Sequence, residues 1–397
     1  VKRIWVLGVA LLGIAAALAR FEPRERPLSL VIGGDLNGYL SPCGCSKPMT
    51  GGIRRRAFAL AEIRKGARTV VVENTGLVKD GSPQERMKLA AALRALERTR
   101  VDVVHWGETE LRLGEEETAV AANLLGDRLL CETDAGFGLQ RGREASGLWI
   151  GIGDAAEVAR GAAERKMPGV LLLDGNLEKA RAAAREAPAL RVIVYRQTGE
   201  PTAEPLHEGE VWLVTPGARG KHLVEIGFES GRPARYVVHR LGPQFGDHAA
   251  VSKIFALYLE EVDASGLIDR FPRTKSEAFA GTAACMSCHQ DAGKVWNDSA
   301  HAQALLSLER DGHGRDPECV PCHVVGLDKS EGFRSRKQTP ELANVGCESC
   351  HGPGGAHASQ PAQFPMGKVG EKSCAPCHVP DHSPAFDFAT YWKKIAH

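Results

Sequence analysis

The 397-residue sequence has no charge excess of either sign: 50 lysines and arginines stand against 49 aspartates and glutamates, a formal net charge of +1. That balance excludes nucleic acid as a main partner and gives no reason to expect an anionic surface. A disulfide framework is also missing. Eight of the eleven cysteines fall in four Cys-x-x-Cys-His groups, and the remainder, Cys43, Cys45 and Cys131, leave room for one bridge. Long apolar runs are absent except over residues 4–19, which is short of the about 20 residues a spanning helix needs. Lys2 and Arg3 precede that run, small residues close it, and a charged, proline-containing stretch follows. The pattern predicts a secretory signal over 1–26, with an uncleaved anchor as the lesser alternative and the one route to a membrane. Strand patterning disappears from Phe279 onward, where glycine, proline and histidine increase. About 120 residues so patterned cannot build a large conventional core.

The four motifs fill that gap. They comprise Cys285, Cys288 and His289; Cys319, Cys322 and His323; Cys347, Cys350 and His351; and Cys374, Cys377 and His378. The spacing is the attachment signature of c-type haem. Two thiols that add across the two porphyrin vinyl groups must share one short turn, and the following histidine is then held under the ring to ligate iron. Four covalently attached haems would also supply the apolar surface that the segment lacks. Export agrees with this reading, because covalent attachment in prokaryotes takes place outside the cytoplasmic membrane; a periplasmic or extracellular location is expected.

Each iron would keep a second face. Fourteen histidines are present, and within the haem segment His301, His313, His357, His382 and His397 are the candidates for it. His357 follows His351 across Gly352-Pro353-Gly354-Gly355, a hairpin better suited to reaching a neighbouring haem than its own. Five candidates compete for four places, so at least one is spare or one iron stays open. Bis-histidine ligation closes iron to substrates and suits electron relay, whereas an open face admits small ligands.

Upstream, short β-rich runs at 28–32, 69–72, 101–104, 170–173, 191–195, 210–214, 222–228 and 235–240 alternate with helical stretches. Ser82, Pro83 and Glu85 predict a capping box and a proline first turn for a helix over 83–98, and a second helix is expected over 177–186. Strand–helix alternation predicts an α/β domain with a largely parallel core that ends in antiparallel strands. Apolar residues at helical period over 251–262 predict an amphipathic helix leading into the haem segment.

Two resemblances sharpen these expectations. Segment 279–397 resembles the tetrahaem cytochrome c554 family of electron carriers. The resemblance rests on Ala280-Gly281-Thr282 before the first motif, Trp296-x-x-Ser299-x-His301, Asp316-Pro317-Glu318-Cys319, Gly346-Cys347-Glu348-Ser349-Cys350-His351-Gly352-Pro353-Gly354 and Phe386-Asp387-Phe388-x-x-Tyr391-Trp392. It implies mostly bis-histidine haems in parallel and perpendicular pairs, with redox proteins as donor and acceptor. One iron in such proteins can be five-coordinate, and the site on Cys319 and Cys322 is the expected one unless His313 or His382 fills it.

The region 28–241 resembles calcineurin-like metallophosphoesterases of the 5'-nucleotidase branch. Asp35-Leu36-Asn37-Gly38 stands for Asp-x-His-Gly, Gly51-Gly52-Ile53-Arg54-Arg55-Arg56 for a helix start, Glu73-Asn74 for the bridging Gly-Asp, and Gly107-Glu108-Thr109-Glu110 for Gly-Asn-His-Glu. The ligand histidine is Asn37, the asparagine–histidine pair is Glu108-Thr109, and no Gly-His-x-His lies beside Tyr195-Arg196. A dinuclear centre is therefore not expected. Cys43 and Cys45, on the loop after the first strand, make half a typical metal site.

The expected architecture is a signal or anchor over 1–26, an inactive metallophosphoesterase-like α/β sandwich over 27–242, a helical linker over 243–277, and a small, mainly helical and loop tetrahaem domain over 278–397. The expected function is electron transfer, the alternative a haem enzyme acting on a small nitrogen or sulfur species at an open iron.

Overall fold

The structure, a computed structural model, describes residues 26–42, 49–133, 136–380 and 382–397. The expected signal lies almost wholly outside these residues, and so do Cys43 and Cys45. Among the described residues no helix is long and apolar enough to cross a membrane.

Two six-stranded sheets form the N-terminal region. The first contains β1 (Leu28–Gly33), β2 (Arg68–Glu73), β3 (Val103–Trp106) and β4 (Leu129–Cys131), all parallel, extended by the antiparallel β11 (His222–Glu229) and β12 (Arg232–Arg240). The second runs β5 (Gly142–Ala145), β6 (Leu148–Ile152), β7 (Gly169–Leu172), β8 (Val192–Val194), β10 (Val211–Val214) and β9 (Leu206–Glu208), parallel from β6 to β10. The apolar runs of β1, β2 and β7 are covered on both faces, which is why they read as continuous hydrophobics rather than alternating ones.

Three cores result. Between the sheets, Leu30, Ile32, Val70 and Val72 meet Ile150, Ile152, Val170, Val194 and Val214. Outside the first sheet lie α1 (Ile53–Gly66), α2 (Pro83–Arg98) and α3 (Glu115–Leu125). Outside the second lie α4 (Ala155–Glu164) and α5 (Leu177–Glu186). The layers are thus helix, sheet, sheet, helix. The helix expected as part of a linker, α6 (Ala249–Ala264), packs Val251, Phe255, Tyr258 and Val262 into the core under α1 and α2.

Only half of the expected capping box forms on α2. The Ser82 hydroxyl accepts from the Glu85 amide, but the Glu85 carboxylate takes the Lys79 amide and the Lys88 ammonium instead of the Ser82 amide. Asp80 accepts that amide. Glu85 is thereby turned inward, toward the C-terminal region.

From Thr282 the chain consists of short helices and turns, with one small core of Ile268, Leu305, Val320, Val325, Leu327, Phe333 and Leu342 around the second motif. Glu348, inside the third motif, is buried and accepts three backbone amides, from Ala280, Gly281 and Gly354. One carboxylate thus ties the strand-free entry of the first motif to the turn after the third.

Candidate functional site

The motif cysteines and histidines share single helical turns, as their chemistry requires. The amides of His289 and His378 donate to the carbonyls of Cys285 and Cys374, four residues earlier, and the third motif is itself a helix, Cys347–His351. In the second motif Val320–Cys322 forms a tighter turn. The motifs meet in two pairs: the thiols of Cys285 and Cys347 are close enough to shift one another's titration, and so are those of Cys322 and Cys377. None of the nine described cysteines is in a disulfide, and Cys131 is buried on β4.

The histidines show a second order. His289 of the first motif faces His357, with ring centres 6.3 Å apart and planes 25° from parallel. His378 of the fourth faces His301 at 6.2 Å, and His351 of the third faces His397 at 6.0 Å. Two imidazoles that ligate one metal from opposite sides, each through a bond of about 2 Å, set their ring centres roughly 6 Å apart. The rings therefore stand at the separation that haem iron requires.

Tautomers agree with that role. A carbonyl oxygen only accepts, so His323 Nδ1 donates to Ala304 at 2.7 Å, His357 Nδ1 to Phe364 at 2.8 Å and His397 Nδ1 to Ile395 at 2.9 Å. In each ring Nε2 is left with the lone pair that binds metal. A 670 Å³ cavity lies among His301, Cys322, His323, Cys374, Cys377 and His378. Around His378, Phe386 stacks at 4.7 Å and Tyr391 stands edge-on at 5.5 Å. The C-terminal motif that contains Phe386 and Tyr391 gave no hint of this contact, and the three accepting carbonyls have no motif of their own.

His323 is different: among the described residues no histidine ring faces it. The ring of His313 is engaged elsewhere, with Nδ1 at 2.9 Å from Asp316 and Nε2 at 3.2 Å from the Ser41 hydroxyl. His382 lies on the turn after the fourth motif, where its amide donates to Val379.

The second motif also abuts the N-terminal region. Gln84 on α2 donates to Asp316 at 2.8 Å and to Tyr258 on α6 at 3.1 Å. Lys88, buried, reaches Glu85 at 2.7 Å and Glu318 at 2.5 Å. Burial opposes the Lys88 charge, yet Glu318 and Glu85 outweigh it and raise its pKa. Burial likewise works against ionised Asp316, but the His313 and Gln84 hydrogen bonds prevail and hold it below the usual carboxylate range.

In the N-terminal region Asp35 and Asn37, from the first phosphoesterase-like motif, line a 590 Å³ cleft with Asp174 and Arg196 where parallel strands end. They are occupied by one another. Arg196 donates to Asp35 at 2.6 and 3.0 Å and to Asp174 at 2.9 Å. Arg56 pairs with the fully buried Glu73. Glu110 accepts the amides of Gly76 and Leu77 and the Thr75 hydroxyl. Asn74 bridges His105 and the Leu173 carbonyl. Among the described residues the one cluster of three metal-ligand atoms is His313, Asp316 and Cys319, in the other region.

Comparison with known proteins divides the chain in the same way. Residues 284–352 match the sequence profile of the family described as cytochrome c554 and c-prime. Cytochrome c-554 of Nitrosomonas europaea is 32% identical over 135 residues, covering 25% of this chain and 57% of that protein. The multiheme cytochrome MtrA of Shewanella baltica is 33% identical over 100 residues, covering 25% of each chain. The chain thus spans little more than half of the first relative's length and a quarter of the second's. The N-terminal fold is that of the 5'-nucleotidase precursor from Thermus thermophilus, with a TM-score of 0.51, 15% identity, and coverage of 67% of this chain and 68% of that one. The C-terminal segment therefore resembles cytochrome c554 in sequence, and the N-terminal region has the phosphoesterase α/β architecture.

Proposed function

We propose that this chain is an exported multihaem c-type cytochrome that passes electrons between redox protein partners, with four covalent haems of which three are held between two histidines. Three histidine pairs, each joining a motif histidine to one from outside the motifs at 6.0–6.3 Å, carry the reading. Bound haem c would supply a one-electron iron couple whose potential the surrounding protein tunes. In this assignment Cys285 and Cys288, Cys319 and Cys322, Cys347 and Cys350, and Cys374 and Cys377 provide the thioethers. His289, His323, His351 and His378 would each ligate one iron, and His357, His397 and His301 would supply the second ligand at the first, third and fourth sites. His313 is held by Asp316 and Ser41, and neither it nor His382 is needed as a ligand.

The role of the protein is then largely positional. Carbonyls of Ala304, Phe364 and Ile395 fix the tautomer and plane of three imidazoles, which limits rearrangement between oxidation states. The proximity of thiols from the first and third motifs and from the second and fourth supports two neighbouring pairs of sites. Relatives that are cytochromes support electron transfer. The N-terminal region acts in this reading as scaffold and docking surface for the second motif.

A second reading rests on His323, which has no opposing histidine among the described residues. An iron open at that site would act on a small nitrogen or sulfur species. Low-temperature EPR of the oxidised protein tests the open site that both readings contain: one high-spin and three low-spin components, with a spectral shift of the reduced protein under carbon monoxide, are expected, and turnover of such a species separates the second reading from the first. A purely low-spin spectrum would remove the open site, and a colourless protein from a host competent in cytochrome c maturation would remove the whole assignment.

A further inference from the structure

The carboxylates that stand at the phosphoesterase metal positions are short of cation ligands but not short of positive charge. Asp35 follows β1, Glu73 ends β2, Asp174 follows β7 and Arg196 follows β8, so the ends of both sheets contribute. Asp35 sits in a left-handed backbone conformation, φ 48°, and so does Asn37, φ 47°. Their side chains are thus held in the cleft by a turn that non-glycine residues adopt reluctantly. The Arg196 guanidinium lies between Asp35 and Asp174 and donates three hydrogen bonds to them. A second guanidinium, Arg56, covers Glu73, and both groups are nearly free of solvent. On the Gly76 side the packing is tight, since a Cβ there would lie 2.5 Å from Asp35 Oδ1 and 2.8 Å from Arg196 Nη2, while the other side of the pair lines the 590 Å³ cleft.

We propose that Arg196 and Arg56 are built-in replacements for the two metal ions of the phosphoesterase fold, so that the carboxylates at this cleft are held in place without any divalent cation. Guanidinium suits the position because it cannot lose its proton in a protein and its planar fork matches carboxylate oxygens. It differs from a metal in the decisive respect. It has no vacant coordination site and cannot generate or hold a nucleophilic water, so the replacement conserves the architecture and abolishes the hydrolytic chemistry. Glu110 is satisfied by amides and Asn74 by His105 and a carbonyl, whereas Glu73 Oε1 and His105 Nε2 are buried with no hydrogen-bond partner. Burial opposes ionised Asp174, and the Arg196 contact reverses that and lowers its pKa.

The inference yields a rescue experiment on the full-length haem-loaded chain, with Mn²⁺ as probe. Haem iron is covalently retained, so chelation does not touch it. In the wild-type protein the melting temperature should be the same in EDTA and in millimolar Mn²⁺, and EPR should find all added Mn²⁺ free. Arg196→Met leaves Asp35 and Asp174 facing each other uncompensated, an oxygen pair suited to a hard cation. That variant should melt lower, bind Mn²⁺ about tenfold more tightly than wild type, and regain melting temperature as the ion is added. Wild-type protein that takes up one Mn²⁺, lost in Asp35→Asn, overturns the proposal whether or not the arginine variant folds. An Arg196→Met protein that folds and binds no more Mn²⁺ than wild type overturns it as well.

Discussion

Between the two sheets, Leu30, Ile32, Val72, Ile150 and Val194 are completely buried, and helices seal both outer faces with their own cores. In the C-terminal region the buried apolar side chains run from Ala304 to Ala343, and among the described residues none beyond Ala343 is buried. What that half has instead are paired histidines about 6 Å apart and thiols drawn together in twos. The first half closes around its own side chains. The second is arranged around an interior that its side chains do not fill, and a chain segment of this size with so little buried apolar surface lacks the means to stay folded alone.

The strongest way to break this contrast is to withhold the filling. Expression without cytochrome c maturation should leave residues 278–397 open to protease while the N-terminal sheets survive, and mass spectrometry of the digest reads the boundary. Equal resistance of both halves would show that the C-terminal region folds on its own packing. Within mature protein, Cys347→Ala together with Cys350→Ala should remove one haem from the intact mass and convert the EPR signature of its neighbour.

Next in size is Glu348→Ala. One buried carboxylate there accepts three amides from two segments, so its loss strands three donors and should cost roughly 3–5 kcal/mol in chemical denaturation. Lys88→Met should cost about 3 kcal/mol by leaving the buried Glu85 without its ammonium partner, while Glu318 keeps only Lys79 at 3.6 Å. A smaller cost for the second would mark the seam between the regions as softer than the seam inside the haem segment.

The two halves were also legible in different ways. Continuous apolar runs such as Leu30-Val31-Ile32 and Val70-Val71-Val72 announce buried parallel strands, and the expected helices over 83–98 and 177–186 are found as Pro83–Arg98 and Leu177–Glu186. Strands β4, β5, β6 and β9 are missing from the expected set, and β4 and β9 have only three residues each. Gly-Arg-Glu-Ala carries no apolar alternation, and its neighbour Leu-Trp-Ile-Gly-Ile is broken by glycine. Attachment chemistry is local and can be read from five consecutive residues, as at Cys285–His289. The pairing of His289 with His357, or of His378 with His301, is set by folding over 68 or 77 residues and has no local signal. The sequence likewise announces that metal ligands are missing beside Tyr195, but only the fold reveals that the next residue, Arg196, fills the place between Asp35 and Asp174.

The subtlest effect lies in the N-terminal half and is almost invisible in the intact protein. Burial raises the Glu73 pKa to about 7, with Arg56 opposing, from an ordinary value of 4.5. Burial lowers that of His105 to about 4 from 6.5. Folded protein therefore holds the Glu73 proton that unfolded chain has released between pH 4.5 and 7, so the stability associated with Glu73 is lost as pH rises through that window. His105 acts oppositely: unfolded chain binds a proton that folded protein refuses between pH 4 and 6.5, so the stability associated with it is lost as pH falls. Each swing amounts to roughly 3 kcal/mol, and over most of the range they cancel. The urea midpoint of wild type should accordingly vary little between pH 5 and 6.5 on account of these two groups. Glu73→Gln should uncover a midpoint that climbs with pH, and His105→Gln one that falls. Parallel profiles for both variants and wild type would mean that neither group is as dry as the sheet ends make it, and would return the N-terminal core to the ordinary behaviour of a solvated cleft.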